Sequence, residues 1–203
     1  IGGVLWFAGT GSRLGPAALV AAAAASLAAY LVLPPAMGTP AIAVSPYKGI
    51  AYARNFPDAE RILRTVSPFG DLQVYASSYM HFAPGLSDNA AFNLPDLPAN
   101  TYVGLYIDGD GPEGIMRALG EDERDYFSYL PTFYPYVVKE RPRTFVVQFG
   151  GGISTNAALA AGAPHVTVAQ SNPAVLAAFD EPVLRDFTGD VLHDPRVTVI
   201  PYD

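Results

Sequence analysis

Thr144-Phe-Val-Val-Gln-Phe-Gly-Gly-Gly-Ile-Ser-Thr-Asn-Ala-Ala-Leu-Ala-Ala161, followed by Val166-Thr-Val-Ala169, decides how the second half of this chain folds. Thr144 to Phe149 reads as a buried strand, Gly150 to Gly152 as a turn, Ser154 to Ala161 as a helix and Val166 to Ala169 as a second strand. Pro173 to Phe179 then makes another helix, and Val197 to Ile200 a third strand. Strand and helix alternating at this spacing imply a parallel sheet with right-handed crossovers. Three glycines between a strand and a helix let the backbone turn tightly, approach a ligand and aim a helix N-terminus at it. The sequence Gly-Gly-Gly-Ile-Ser departs from the G-x-G-x-x-G spacing, which disfavours a dinucleotide. A close strand-to-helix packing turn is the alternative use of the same glycines. On the ligand reading, a side chain at Gly151 blocks binding rather than folding.

Upstream, the runs Gly49 to Arg54, Arg61 to Val66, Leu72 to Ser77 and Val103 to Ile107 are short and broken by turn residues, and Asp108-Gly-Asp-Gly-Pro112 closes the last. They predict a small, mostly antiparallel β region. From about Glu121 to Val138 a helical stretch follows, acidic in its first turn and interrupted by Pro131 and Pro135. Asp108-Gly-Asp-Gly111 resembles the start of a calcium loop, but Leu119 stands where the bidentate Glu belongs, so it reads as a plain turn.

The front of the chain is different in kind. Ile1 to Leu33 carries one charge, Arg13, while every other charged residue follows Pro46. Pro16 to Leu33 is an uncharged run of 18 residues, close to the minimum for crossing a bilayer core of about 30 Å. It reads as a transmembrane helix, with Ile1 to Phe7 as the end of an earlier span. A buried Ala-rich helix and a signal peptide are the competing readings; the apolar residues ahead of Arg13 argue against the latter. Pro34-Pro-Ala-Met-Gly-Thr-Pro40 cannot propagate a helix and begins the linker. The expected organisation is therefore transmembrane segment(s) over 1–35, a linker over 36–44, a β-rich region over 45–140 and a partial nucleotide-binding domain over 141–203. Both ends read as cut within a longer chain.

A net charge of -7 excludes non-specific nucleic-acid binding, which needs clustered Lys and Arg. The absence of Cys removes disulfides, thiolate nucleophiles and Cys-based zinc sites. His81, His165 and His193 show no metal-ligand spacing, so no metal is expected. The aromatic cluster from Tyr126 to Tyr136 reads as packing rather than a base-stacking platform.

Val146-Val-Gln-Phe-Gly-Gly-Gly152 followed by Val166-Thr-Val-Ala-Gln-Ser-Asn-Pro173 resembles the spermidine synthase pattern, in which the glycine loop precedes a strand ending in Glu-x-Asp/Asn-Pro. His193 to Asp203 looks like that family's third strand, with Asp203 at the acidic position that binds adenine. Tyr102 to Gly109, then Glu121-Asp-Glu123 and Tyr126, is similar to the family's "L-x-x-D-G … D-E-x-x-Y-H-E" segment. Ser45 to Gly49, Arg64 to Gly70 and Phe82 to Ser87 look like a bacterial branch in which membrane helices precede the synthase-like domain.

The resemblance implies an α/β fold: an N-terminal transmembrane helix, a small antiparallel β region, then the first half of a methyltransferase-like Rossmann sheet, truncated. It implies S-adenosylmethionine or decarboxylated S-adenosylmethionine as cofactor, bound by Gly150, Gly151, Gly152, Gln170 and Asp203, with Asp108 and Tyr126 toward the substrate. The chain departs from the pattern at Ile153, where the family has Asp, at Phe127 and Ser128, where it has His-Glu, and at Gln170, where it has the ribose-binding Glu. A cationic polyamine needs carboxylates to replace its hydration, so these exchanges disfavour putrescine.

The expected protein is a membrane-anchored transferase of the spermidine synthase type with an unknown acceptor and a small nucleotide-type ligand. A methyltransferase and a non-catalytic Rossmann binding protein are the alternatives. Since the family's catalytic carboxylate follows a fourth strand, residues 1–203 alone are expected to turn over no substrate. Arg13 in a short loop favours that loop being cytoplasmic, whereas the cofactor class is cytosolic; the cofactor decides, and the soluble domain is read as cytoplasmic. A homo-oligomer is left open.

Overall fold

The computed structural model describes residues 20–29, 44–80, 85–87, 89–90, 93–94 and 98–201. The chain divides into two units, Ile1–Ala43 and Val44–Asp203. Within the first, residues 20–29 are helical, and the Ser26 hydroxyl donates to the Ala22 carbonyl at 2.8 Å. The rest of the expected span Pro16 to Leu33, the Ile1 to Phe7 segment and the linker up to Ala43 lie outside the described residues. Among the described residues no helix is long and apolar enough to cross a membrane.

The second unit is mixed α/β, with a four-stranded antiparallel sheet followed by a three-stranded parallel one. The antiparallel sheet runs in chain order through β1 (Glu60–Ser67), β2 (Gly70–Ala76), β3 (Tyr102–Ile107) and β4 (Asp110–Met116). Alternation along the strands sorts their side chains into two layers. Leu72, Val74, Val103, Leu105 and Ile115 join the main core, while Tyr75 and Tyr106 turn the other way and pack with Ile50, Ala53 and Met80.

Two expectations fail here for physical reasons. Gly49 to Arg54 reads as a strand but forms the short helix α1 (Gly49–Ala53), because its buried residues, Ile50 and Ala53, are three apart and so share a helical face. Asp108-Gly-Asp-Gly-Pro112 reads as a turn, yet Asp110 to Pro112 open β4. Pairing with β3 overrides its low β-propensity, and Pro112 is tolerated because β4 is an edge strand.

The expected helix from Glu121 to Val138 is a chain of short pieces: 3-10 turns over Glu121–Tyr129 and Pro131–Phe133, then α2 (Tyr134–Val138). Pro131 and Pro135 stand at the first or second position of the two later pieces, where a missing N–H costs nothing. The parallel sheet has the order β5 (Thr144–Val147), β6 (Val166–Gln170), β7 (Val197–Pro201). Its crossovers carry α3 (Ile153–Ala160), α4 (Pro173–Asp180) and α5 (Pro182–Thr188). The apolar pattern does not announce helix α5, although Pro182 at its start and left-handed Gly189 at its end are the usual start and stop residues. Val146, Val166, Val168, Ala158, Val175 and Phe179 meet the antiparallel sheet in one core.

Arg117, at the end of β4, clamps the first 3-10 turn. Its guanidinium donates to both carboxylate oxygens of Glu123, with Nη1 to Oε2 at 2.8 Å, and Gly120 N–H donates to the same carboxylate at 3.0 Å. The Arg117 hydrogen bond, aided by that backbone N–H, lowers the Glu123 pKa from 4.5 to about 2. The folded chain therefore gains from this carboxylate fully above about pH 4.5 and loses the gain as pH falls toward 2. Denaturant melts of the wild type and Glu123→Gln across that window test it. The wild type should be the more stable protein at neutral pH, with the difference closing in acid; a pH-independent difference would contradict the clamp.

Candidate functional site

The site is built where β5 ends. Gln148 continues the ladder, its N–H donating to Ala169 carbonyl at 2.9 Å, but with φ of 65° it takes a left-handed backbone rarely adopted outside glycine. Its side chain compensates by donating from Nε2 to Ser171 Oγ at 2.9 Å. Phe149 then turns inward and is buried, its ring edge-to-face with Phe179 of α4 at a centroid distance of 4.7 Å. Gly150 and Gly152 have φ of 55° and 81°, and Gly152 N–H closes the turn on Phe149 carbonyl at 2.9 Å. α3 starts directly after it.

Gln170, at the end of β6, fastens this loop. Its side-chain Oε1 accepts from Phe149 N–H at 2.8 Å and from Gly150 N–H at 3.3 Å, and the residue is buried. The Nε2 group has no hydrogen-bond partner among the described residues. Asn172 caps α4, its Oδ1 accepting from Ala174 N–H at 2.9 Å. Glu113 of β4 comes to the loop from the other sheet: its Oε2 lies 3.0 Å from where a Cβ on Gly150 would stand. That carboxylate is exposed and has no ion-pair partner among the described residues. Sequence reasoning missed Glu113, since no strand is expected after the Asp108 to Pro112 turn.

The other expected site residues disperse. Gly151 has its back to β4: an added Cβ would stand 1.8 Å from the Gly114 carbonyl oxygen. That distance is impossible without moving backbone, so absence of a side chain at Gly151 serves packing between the sheets, the alternative use of these glycines. Asp108 sits on the β3–β4 turn, its Oδ1 accepting from Asp71 N–H and its carbonyl from Lys48 Nζ, each at 2.9 Å. Its contacts are thus with the β1–β2 hairpin and Lys48. Tyr126 is buried with its hydroxyl 2.8 Å from that of Tyr102, inside an apolar cluster with Met116, Leu130 and Ala157. Burial pushes the Tyr126 phenol up, as expected for a group held away from water. Asp203 lies outside the described residues.

The departures Ile153 and Phe127 belong to that same cluster around Tyr102 and Tyr126. Of the exchanged positions, Ile153 follows the glycine loop directly but packs its side chain into that cluster, whereas Gln170 hydrogen-bonds the loop. Among the described residues no group of three or more His, Asp or Glu could hold a metal ion. Two cavities, of about 240 and 300 Å³, lie away from the loop.

No protein-family model matches this chain, and no curated protein matches it. Among solved structures, spermidine synthase from Thermotoga maritima aligns with a TM-score of 0.43 at 14% identity, covering 70% of this chain and 40% of that one. A spermidine synthase in complex with the transition state analogue AdoDATO aligns with a TM-score of 0.42 at 14% identity, covering 70% of this chain and 41% of that one. The chain therefore spans about two fifths of the length of these synthases.

The Gly151 contact is testable by stability alone. Gly151→Ala should destabilise the fold by about 1–3 kcal/mol, the range for overpacking, because the atom in the way is backbone. Urea denaturation of the variant beside the wild type measures it, and equal midpoints would show that β4 does not press on the loop.

Proposed function

We propose that this chain carries the nucleoside-binding half of a membrane-anchored, spermidine synthase-like transferase, with S-adenosylmethionine or its decarboxylated form held over the glycine loop. The observation that carries the reading is Gln170. A buried amide ends β6, its oxygen engaged by the two loop amides and its Nε2 left as a donor. In parallel α/β sheets ligands bind outside the carboxyl ends of the strands, and this group stands there. A ribose presents hydroxyl oxygens that such an N–H can meet. The unpaired Glu113 carboxylate beside Gly150 suits the cationic end of the same cofactor class.

The non-catalytic reading is favoured by a separate observation, the packing of Gly151 against Gly114. On that reading the loop keeps its glycines for the sheet contact alone. Calorimetry separates the two: S-adenosylmethionine, its decarboxylated form and methylthioadenosine are titrated into the full chain. Binding of at least one supports the nucleoside site; heat from none of them removes it. Gln170→Glu sharpens the result. One carboxylate oxygen can keep both loop hydrogen bonds while the other accepts a ribose hydroxyl as a charge-assisted bond, so affinity should rise by up to about tenfold. Unchanged or weaker affinity would mean that Gln170 does not face a ribose.

The anchor rests on the uncharged run Pro16 to Leu33 and on Ser26, whose hydroxyl is satisfied within the helix as a lipid environment requires. The proposed cofactor class, a cytosolic one, supports a cytoplasmic side for the transferase domain. Full-length protein should sediment with membranes and come off only with detergent. Recovery in the detergent-free soluble fraction would exclude the anchor.

A further inference from the structure

A cavity of about 240 Å³ opens between the end of β4, the 3-10 turn Glu121–Tyr129, α3 and the segment that follows α5. Arg117, Arg124 and Arg196 all line it. The chain has only 12 Lys and Arg against 19 Asp and Glu, so three arginines around one void oppose its overall charge.

Two of the three are already committed. Arg117 is held by Glu123 and by the carbonyls of Ala99 and Ala118, at 3.1 and 2.9 Å. Arg196 is held by both oxygens of Asp194, at 2.9 and 2.7 Å, and by the Leu159 carbonyl at 3.3 Å. These pairs are close to neutral, and they fix the two guanidinium planes in the cavity wall. Arg124 is different: it has no hydrogen bond or ion pair among the described residues, although Asp122 and Asp125 flank it along the chain. Asn156, on α3, brings a side-chain amide to the same wall with no hydrogen bond of its own there. A purely structural salt-bridge network accounts for Arg117 and Arg196, but neither for Arg124 nor for the space between them.

We propose that this cavity binds a small oxyanion, of the carboxylate or phosphate class, with Arg124 as its charged ligand, Asn156 as a second donor, and the charge-balanced Arg117–Glu123 and Arg196–Asp194 pairs as a fixed polar wall. Guanidinium is the side chain best matched to such anions because its donors form a planar fork. Size sets the upper limit. Pockets for drug-sized ligands run from about 300 to 1,000 Å³, whereas one water takes about 30 Å³ of liquid, so about 240 Å³ suits a small anion with some of its water and not a nucleotide. The site is independent of the glycine loop and does not rest on the cofactor reading.

The test uses the full chain at low ionic strength, where an exposed cation is least screened. Inorganic phosphate and malonate are titrated by calorimetry, with chloride as the reference anion. Three proteins are compared: wild type, Arg124→Gln, and Arg61→Gln as a control on the exposed start of β1. At least one oxyanion should bind the wild type more tightly than chloride, lose tenfold or more in affinity with Arg124→Gln, and be unaffected by Arg61→Gln. The stronger of the two anions gives the chemical class. Affinity that Arg124→Gln leaves unchanged, or oxyanion binding no tighter than chloride, would overturn the proposal. Arg124 is exposed and unpaired, so its substitution leaves the fold intact; matching melts of the three proteins verify this.

Discussion

The carbonyl of Gly114 and the backbone of Gly151 stand so close that no side chain fits between them. This contact joins an edge strand of the antiparallel sheet to the loop that begins α3, and much else is arranged around it. Because β4 reaches the loop, Glu113 reaches Gly150, and Ile115 two positions further on enters the core shared with Val146 and Val168. Because the loop cannot move away from β4, Phe149 is directed under Phe179 and the chain must reverse through two left-handed glycines. The glycines are thus required by the fold before any ligand is considered.

Gln170 holds the other side of the same loop. A buried amide costs free energy unless its polar atoms are paired, and two backbone N–H donors satisfy its oxygen. The Nε2 group has no partner among the described residues and is not one of their buried unpaired atoms, so it is open to solvent. A glutamate there could satisfy the same two N–H groups but would bring a buried charge. Glutamine therefore keeps the loop fastened at lower electrostatic cost, and this account of the residue needs no ligand. What the amide oxygen does is structural; the nitrogen is the group left to meet a ligand.

Much of the architecture was legible because it rests on local rules. The strand, triple glycine and helix after Thr144, the Pro173 helix start and the strand at Val197 each carry a periodicity or a cap that a short window contains. The failures rest on partners distant in sequence. Nothing in Asp110-Gly-Pro-Glu-Gly114 favours a strand until β3 supplies the ladder, and Gly49 to Ala53 takes its helical form where Ile50 meets Tyr75 and Tyr106. The site was less legible for the same reason. Tyr126 and Asp108 fall at positions that match a pattern, but their partners, Tyr102 and Asp71, lie 24 and 37 residues away and turn both groups to structural use.

Ile153 and Phe127 show how that distinction changes a chemical inference. Read along the chain with Gln170, they suggest one pocket stripped of its polar groups. In the fold they are neighbours of Tyr102, Met116 and Leu130, and a carboxylate or imidazole at either place would have to be desolvated within that cluster. Their apolar character therefore follows from packing in this chain, fully for buried Phe127 and in part for half-buried Ile153. The polar groups that bear on a ligand are those the loop itself gathers, Gln170 from β6 and Glu113 from β4, and one of them comes from a strand that the sequence does not announce.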